Sequence, residues 1–197
     1  MKPKIIALLG SPRINGNTAT LLDQAIKGAE DAGCIVEKVV VPHLNFRPCM
    51  EIFHCIENET CAIKDDIVPF YEKFKDMDGL IIATPVMTMG IPGALKSFMD
   101  RFQVFYMAKY WRQSSFINDS QRKRRRTLLI SIGGMNIPND FDGVKLTVHA
   151  FCEIIDSPYW AEVLQNNMDE IKDISTRPEV MEEAYSKGCE LGKQFMR

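Results

Sequence analysis

Five short apolar segments alternate along the chain with longer segments of helical periodicity. The predicted strands cover residues 5–10, 35–41, 80–84, 127–132 and 159–164, and the predicted helices cover residues 18–32, 66–77, 92–102, 144–155 and 178–196. Strands that are joined through helices pair in parallel, with helices on both faces of the sheet. The alternation therefore predicts an α/β fold with three α/β/α layers around a doubly wound, five-stranded parallel sheet of order 2-1-3-4-5.

Length and composition favour one globular domain that covers residues 1–197. The chain has 46% hydrophobic and 25% charged residues, no repeat and no linker-like segment, and the strand order above is the flavodoxin-like arrangement. A net charge of −2 argues against a dedicated nucleic-acid binder. The apolar runs are too short to span a bilayer, and the first residues do not resemble a signal peptide. We therefore expect a cytoplasmic protein whose six cysteines are mostly reduced.

A loop rich in small hydrogen-bond donors follows the first predicted strand. Residues 10–18, here called the phosphate loop, read GSPRINGNT and run directly into a helix pattern. Backbone N–H groups and the positive end of a helix dipole converge at such a junction and attract an anion. The loop suits one terminal phosphate monoester, such as that of FMN; the alternative is an ordinary turn in which Asn17 or Thr18 caps the helix. The candidate ligands are Ser11, Arg13, Gly16, Asn17 and Thr18.

Two further loops end strands of the same sheet and belong to the same edge. In a doubly wound sheet, ligands bind outside the carboxyl ends of the strands, at the point where the strand order reverses. A pair of glycines at a strand end allows a flat ring to lie against bare backbone, although each loop alone is equally explained as a turn. The candidate ring-binding residues are Pro85, Val86, Met87 and Thr88 after the third strand, and Gly133 and Gly134 after the fourth.

Taken together, these motifs resemble a known family. The combination of GSPR…GNT, TPV…GIPGALKSFMDR and a strand that ends in Gly-Gly resembles the NAD(P)H-dependent FMN reductase superfamily, nearest to its iron–sulfur flavoprotein-like and multimeric flavodoxin-like branch. The resemblance implies tightly bound FMN and a homodimer or homotetramer with FMN near the subunit interface. It also implies an oxidoreductase that passes electrons from NADH or NADPH to a quinone, a flavin or another acceptor.

By this resemblance, Ser11, Arg13, Asn17 and Thr18 hold the FMN phosphate. The residues after the third strand line one side of the isoalloxazine ring, and the Gly-Gly pair lines the other. No paired-carboxylate or Ser–His–Asp arrangement is visible, and none is needed because the flavin itself accepts and donates the hydride. No catalytic residue is therefore predicted.

Two other functions stay open at this stage. One is a flavodoxin-like electron carrier that has no NAD(P)H activity of its own. The other is a non-enzymatic binding protein that uses the basic run from Arg122 through Arg126 to contact nucleic acid. The preferred interpretation of that run is a solvated basic loop, with the phosphate of NADPH or acidic residues of a neighbouring subunit as further possibilities.

Three cysteines follow the second predicted strand. In iron–sulfur flavoproteins, which this segment resembles, a motif of four cysteines follows that strand. Cys49, Cys55 and Cys61 fit its first, third and fourth positions, but Ile52 stands at the second. A [4Fe–4S] cluster normally takes four thiolates. We favour a segment that binds no metal; an iron–sulfur cluster and a zinc site that includes His43 or His54 are the alternatives.

An aromatic stripe covers residues 102–111, FQVFYMAKYW. Relatives often carry an aromatic residue where this chain has Met87 or Thr88, so the stripe could cover the flavin from a neighbouring subunit. We predict that the stripe forms a subunit contact, because aromatic residues are enriched in the cores of interfaces. The alternative is that it belongs to the core of one subunit.

Overall fold

The computed structural model describes residues 2–196 and is built around a five-stranded sheet. All neighbouring strands pair in parallel, and their order is β2-β1-β3-β4-β5. The predicted flavodoxin-like fold is thereby confirmed. That residues 1–197 form a single domain stays a prediction. The strands are β1 (Lys4–Leu9), β2 (Ile35–Val40), β3 (Gly79–Pro85), β4 (Arg126–Ile132) and β5 (Tyr159–Gln165).

Helices cover both faces of the sheet. Alternate residues of β1 face the two layers: Ile5 and Leu9 pack with helices α1 and α8, whereas Ile6 and Leu8 pack with α2, α3 and α6. This period of two is the side-chain alternation of a strand that is buried on both faces. The helices are α1 (Asn17–Asp31), α2 (Val68–Asp76), α3 (Gly93–Asp100), α4 (Gln103–Tyr106), α5 (Asp119–Arg124), α6 (Asp142–Ile154), α7 (Met168–Ile171) and α8 (Pro178–Gln194).

Helices α1 and α8 cross at a pair of glycines. A Cβ atom on Gly28 would lie 2.1 Å from the carbonyl oxygen of Tyr185, and one on Gly188 would lie 2.0 Å from that of Ala25. The two backbones are therefore in direct contact, which only glycine permits on both sides. This contact lies in the C-terminal half of α1 and holds the two helices side by side on one face of the sheet.

The prediction of a solvated basic loop is right for the exposed side chains of Lys123 and Arg124 but wrong for the backbone, which is helical, and for Arg125, which is buried. It lies largely in α5, which begins with a capping box between Asn118 and Gln121. Arg125 is 1% exposed and donates to the carbonyls of Lys75 (2.6 Å) and Ile155 (3.3 Å) at the ends of α2 and α6. Burial lowers the pKa of Arg125 to about 10. These arginines close the amino edge of the sheet, opposite the predicted site.

The aromatic stripe divides between core and surface. Phe102 and Phe105 are buried, so for these two residues the prediction of a subunit contact is wrong. Tyr106, Tyr110 and Trp111 are 40%, 47% and 67% exposed, respectively. The last two belong to a π-helical turn, Met107–Trp111, whose wider winding carries them out of the core.

Within residues 2–196, none of the helices combines the length and the apolar character needed to cross a membrane.

Candidate active site

A cavity of about 540 Å³ opens at the carboxyl edge of the sheet, where the three predicted loops meet. This volume lies within the range of about 300–1,000 Å³ that is typical of small-molecule sites. All the predicted ligands except Thr88 and Gly133 line it. The lining residues are Ser11, Pro12, Arg13, Gly16, Asn17, Thr18, Pro85, Val86, Met87, Ile132, Gly134, Met168, Asp169 and Lys172.

The phosphate loop turns tightly between β1 and α1. The N–H of Gly10 donates to the carbonyl of Ala83 (2.8 Å), which holds the start of the loop against β3. The N–H of Gly16 donates to the carbonyl of Arg13 (3.1 Å), and this turn aims the start of α1 into the cavity. Gly16 is the N-cap residue, and no side chain caps the helix. The alternative in which Asn17 or Thr18 caps α1 is therefore wrong.

Several N–H and hydroxyl groups at the start of α1 have no hydrogen-bond acceptor among the described residues. Among the described residues, no acceptor bonds the backbone N–H groups of Asn17, Thr18 or Ala19. Thr18 is only 5% exposed, lines the cavity, and its hydroxyl has no hydrogen-bond partner within residues 2–196. The hydroxyl of Ser11 accepts from the N–H of Arg13 (3.2 Å) and keeps its own proton free. Unpaired N–H groups at a helix N-terminus that opens into a cavity are the usual surroundings of a bound anion.

Asn17 has a structural task that the sequence did not indicate. Its Nδ2 donates to the carbonyl of Lys172 (2.8 Å), and its Oδ1 accepts from the N–H of Ile174 (3.2 Å). Both residues belong to residues 166–177, here called the β5 loop. The side chain of Asn17 therefore fastens the β5 loop to the start of α1, and its backbone N–H has no acceptor among the described residues.

The loop after β3 ends in a strained turn. Met87 and Gly90 exchange backbone hydrogen bonds of 2.9 and 3.0 Å around Thr88 and Met89, which have φ angles of 50° and 59°. Positive φ at both central positions defines a type I′ turn, which favours Asn and Gly and disfavours a β-branched residue such as Thr88. Strain of this kind is found most often at functional sites. Thr88 shapes the turn but does not line the cavity.

Two carboxylates lie against the Gly-Gly pair after β4. A Cβ atom on Gly133 would lie 1.7 Å from Oδ2 of Asp140, and one on Gly134 would lie 2.8 Å from both carboxylate oxygens of Asp169. Gly133 therefore makes room for Asp140 and faces away from the cavity, so only Gly134 supplies the bare backbone that the sequence predicted for both.

Asp140 is a buried carboxyl group without a partner. It is 1% exposed, and neither oxygen accepts a hydrogen bond from the part of the chain that the structure describes. Burial raises the pKa of Asp140, and the negative charge of Asp169 raises it further. Because the folded pKa exceeds the unfolded one, the free energy of unfolding falls as the pH rises from about 3.8 to the raised pKa.

Replacing Asp140 by asparagine should therefore stabilise the protein at neutral pH. The variant removes a buried charge at nearly constant volume, and we expect it to raise the free energy of unfolding at pH 7.5 by about 1 kcal/mol. Urea denaturation at pH 7.5 and again near pH 4 measures the difference, which should shrink at the lower pH. A variant that is less stable at both pH values would show that the carboxylate has a native partner.

The β5 loop supplies lining residues that the sequence analysis missed. Met168, Asp169 and Lys172 follow β5 and carry no motif. The signal available was positional, because β5 is parallel to the other strands and its carboxyl end must meet the same edge.

Comparison with known proteins identifies the family to which this geometry belongs. The family model described as NADPH-dependent FMN reductase matches residues 3–135. The chain belongs to the NADPH-dependent FMN reductase family. This confirms the resemblance noted in the sequence, and family membership indicates FMN as the cofactor. The free donors at the start of α1 fit a phosphate group, and the cavity between Val86, Met87 and Gly134 leaves room for a ring, so the residues present fit FMN.

Individual relatives point to the same family. The chain is 34% identical over 106 residues to an iron–sulfur flavoprotein of Archaeoglobus fulgidus, a match that covers 54% of each chain. It is 35% identical over 98 residues to an iron–sulfur flavoprotein of Methanocaldococcus jannaschii, covering 50% of this chain and 51% of the relative. The chain thus spans about half the length of these two relatives.

Solved structures show the same fold at low sequence identity. An NAD(P)H:quinone oxidoreductase from Methanothermobacter marburgensis has a TM-score of 0.72 and 16% identity, covering 97% of this chain and 100% of its own. A flavone reductase has a TM-score of 0.68 and 17% identity, covering 98% of this chain and 63% of its own. At this level of identity, the likeness bears on the fold alone.

The two relatives are named after an iron–sulfur cluster. The cysteine segment of this chain, residues 45–67, does not offer a full set of ligands for such a cluster. Cys49 and Cys55 line a separate cavity of about 550 Å³ beside α4. Burial raises the pKa of the Cys55 thiol, and the nearby thiols of Cys61 and Cys49 raise it further. Within residues 2–196, no three Cys, His, Asp or Glu side chains are placed to hold a metal ion.

Protein that is purified without oxygen should therefore contain little iron. Three cysteines leave a [4Fe–4S] cluster one thiolate short, and Ile52, 58% exposed, stands where the fourth would be expected. Iron and acid-labile sulfide assays measure the content, with Ile52→Cys as the matched variant that restores four thiols. Near four iron atoms per wild-type chain would contradict this assignment and require a ligand from elsewhere.

Proposed function

We propose that the chain is an oxidoreductase that uses FMN bound at the carboxyl edge of the sheet. Reducing equivalents pass from NADH or NADPH through FMN to a quinone, a flavin or another small acceptor. The family model supports FMN-dependent redox chemistry, and the observation that carries the site is the set of unpartnered donors at the start of α1, with buried Thr18 among them.

The phosphate loop would hold the terminal phosphate of FMN. The backbone N–H groups of Asn17, Thr18 and Ala19 and the hydroxyl groups of Ser11 and Thr18 supply donors that need no rearrangement. Arg13, which makes no ion pair within residues 2–196, supplies a positive charge at the mouth of the cavity. Charge-assisted hydrogen bonds to a phosphate are the strongest kind available to such a site.

The ring would lie between the loops after β3 and β4. Pro85, Val86 and Met87 offer a mainly apolar wall on one side, and Gly134 offers bare backbone on the other. The strained turn at Thr88 and its contact with α6 fix the first wall, because a Cβ atom on Gly143 would collide with the carbonyl oxygen of Met89 at 2.1 Å. When bound, FMN supplies the hydride and electron chemistry, and these residues position the ring.

An anaerobic titration tests the redox assignment. The protein is reconstituted with FMN, and its flavin absorbance is followed during addition of NADH and of NADPH. Bleaching by either nicotinamide supports the reductase. Bound flavin without bleaching would favour the electron carrier, and no bound flavin would favour a non-enzymatic binding protein. The burial of Arg125 gives no support to nucleic-acid binding by the basic run.

A cytoplasmic location stays a prediction. We also propose that the protein forms a homodimer or homotetramer through the exposed part of the aromatic stripe. Tyr106 and Tyr110 pack together with ring centroids 4.9 Å apart, and Trp111 beside them is 67% exposed. Aromatic residues of this size are typical anchors of protein interfaces, and closed symmetry is the common form of soluble homo-oligomers.

Replacing Tyr106 and Trp111 together by alanine should weaken assembly and FMN retention. Light scattering at micromolar concentration measures the mass, and flavin content after gel filtration measures retention. Ile35→Ala is the matched control, because Ile35 is 55% exposed on the edge strand β2. A monomeric wild type that retains FMN would contradict the proposal and show that one subunit builds the whole site.

A further inference from the structure

We propose that Lys172 is a second cation for the terminal phosphate, so that the site selects a flavin with a phosphate dianion over riboflavin. This inference rests on the proposed function, because it concerns the same cavity. Lys172 lies in the β5 loop, far in sequence from the phosphate loop, and no motif in the chain points to it.

Two hydrogen bonds fix the position of Lys172 at the start of α1. Its carbonyl accepts from Nδ2 of Asn17 (2.8 Å), and Ile174 donates its N–H to the other end of the same side chain (3.2 Å). The backbone of Lys172 thus contacts Asn17, whose own backbone N–H has no acceptor among the described residues. Lys172 lines the cavity together with Arg13 and Thr18.

The backbone at Lys172 is strained. Its φ and ψ angles are 63° and −47°, and the N–H of Asp173 donates to the carbonyl of Ile171 (2.8 Å) across it. This is a γ-turn with positive φ, a rare and unfavourable conformation for a residue with a side chain. Glycine would adopt this conformation at lower cost, and backbone strain of this kind is found most often at functional sites.

The charge of this part of the cavity fits a dianion. Neither Arg13 nor Lys172 has a carboxylate within ion-pair distance anywhere in residues 2–196. The one acidic lining residue, Asp169, lies against Gly134, on the side of the cavity formed by the loop after β4. A phosphate monoester carries a charge of about −1.5 to −2 at neutral pH, so two cations and a helix N-terminus match it.

The test compares FMN with riboflavin in matched variants. Lys172→Met removes the charge, Lys172→Arg keeps it, and Lys193→Met removes another exposed lysine from the end of α8, at the opposite edge of the sheet. Dissociation constants are measured by flavin fluorescence at pH 7.5 and at pH 5.0, below the second phosphate pKa of about 6. The melting temperature of each flavin-free variant checks that it folds.

We expect Lys172→Met to weaken FMN binding roughly fivefold or more at pH 7.5 and less at pH 5.0, with riboflavin binding unchanged. Lys172→Arg and Lys193→Met should stay within about twofold of wild type, the scatter usual for a substitution outside a charged contact. Lys172→Gly should lose FMN affinity equally and melt at a higher temperature than wild type, because it relieves the turn.

Three outcomes would overturn the inference. Equal weakening of FMN and riboflavin binding would mean that Lys172 acts only through the shape of the β5 loop. No change in any Lys172 variant, while Arg13→Ala weakens FMN binding, would leave the proposed function standing and remove Lys172 from the site. A wild-type protein that binds no FMN would remove both.

Discussion

Replacing Arg101 by methionine is expected to lower the free energy of unfolding by about 3–5 kcal/mol, the usual result of breaking a buried ion pair on one side. The Arg101 side chain is fully buried and donates from Nη1 and Nη2 to the two carboxylate oxygens of Asp65 at 2.6 and 3.1 Å. It also donates to the carbonyls of Arg47 (2.7 Å) and Ile63 (3.1 Å). One side chain thus fastens both ends of the cysteine segment to the end of α3.

The control for Arg101 lies on the same helix. Lys96 forms an exposed i,i+4 pair with Asp100 (2.6 Å), and Lys96→Met should change the free energy of unfolding by less than about 0.5 kcal/mol. Urea denaturation measures both variants, and limited proteolysis should cut the cysteine segment first in Arg101→Met. A loss below about 1 kcal/mol would mean that this segment contributes little to the cooperative fold.

The second large effect is expected at the phosphate loop. Arg13→Ala and Thr18→Val should each weaken FMN binding about tenfold or more, because a hydrogen bond to a charged group contributes roughly 1.5–3 kcal/mol. Riboflavin, which lacks the phosphate, should bind each variant about as well as it binds wild type. Fluorescence titration gives the dissociation constants of both flavins for wild type and for each variant.

A matched threonine separates the local effect from a general one. The hydroxyl of Thr147 donates to the carbonyl of Gly143 (2.9 Å) inside α6, so Thr147→Val removes a helical hydroxyl away from the phosphate loop. It should leave FMN binding unchanged. Unaltered FMN affinity in both Arg13→Ala and Thr18→Val would place the flavin elsewhere.

The fold was predictable because each strand has a recognisable pattern in its own short stretch of sequence. Buried parallel strands appear as short apolar runs, and the intervening helices show their own period, so the alternation alone limits the topology to a few arrangements. The phosphate loop was also predictable, since a strand, a donor-rich turn and a helix are consecutive in the chain. Gly16 and Thr18 lie where that local pattern places them.

The parts that the sequence did not reveal depend on contacts between distant residues. The sequence predicted that Gly133 would present bare backbone to a ring, but the absence of its Cβ atom makes room for Asp140 instead. In the sequence, Arg125 looks like one of several surface charges, but in the structure it donates hydrogen bonds to carbonyls at the ends of two helices. Lys172 carries no motif and reaches the cavity only because β5 is parallel to its neighbours.

A crystal structure of the protein with FMN tests the central claim most directly. We expect the phosphate within hydrogen-bond distance of the backbone N–H groups of Asn17 and Thr18, and the ring between Met87 and Gly134. Ordered FMN at another place, such as the cavity beside Cys49 and Cys55, would contradict the account. So would FMN in this cavity with its phosphate directed away from the start of α1.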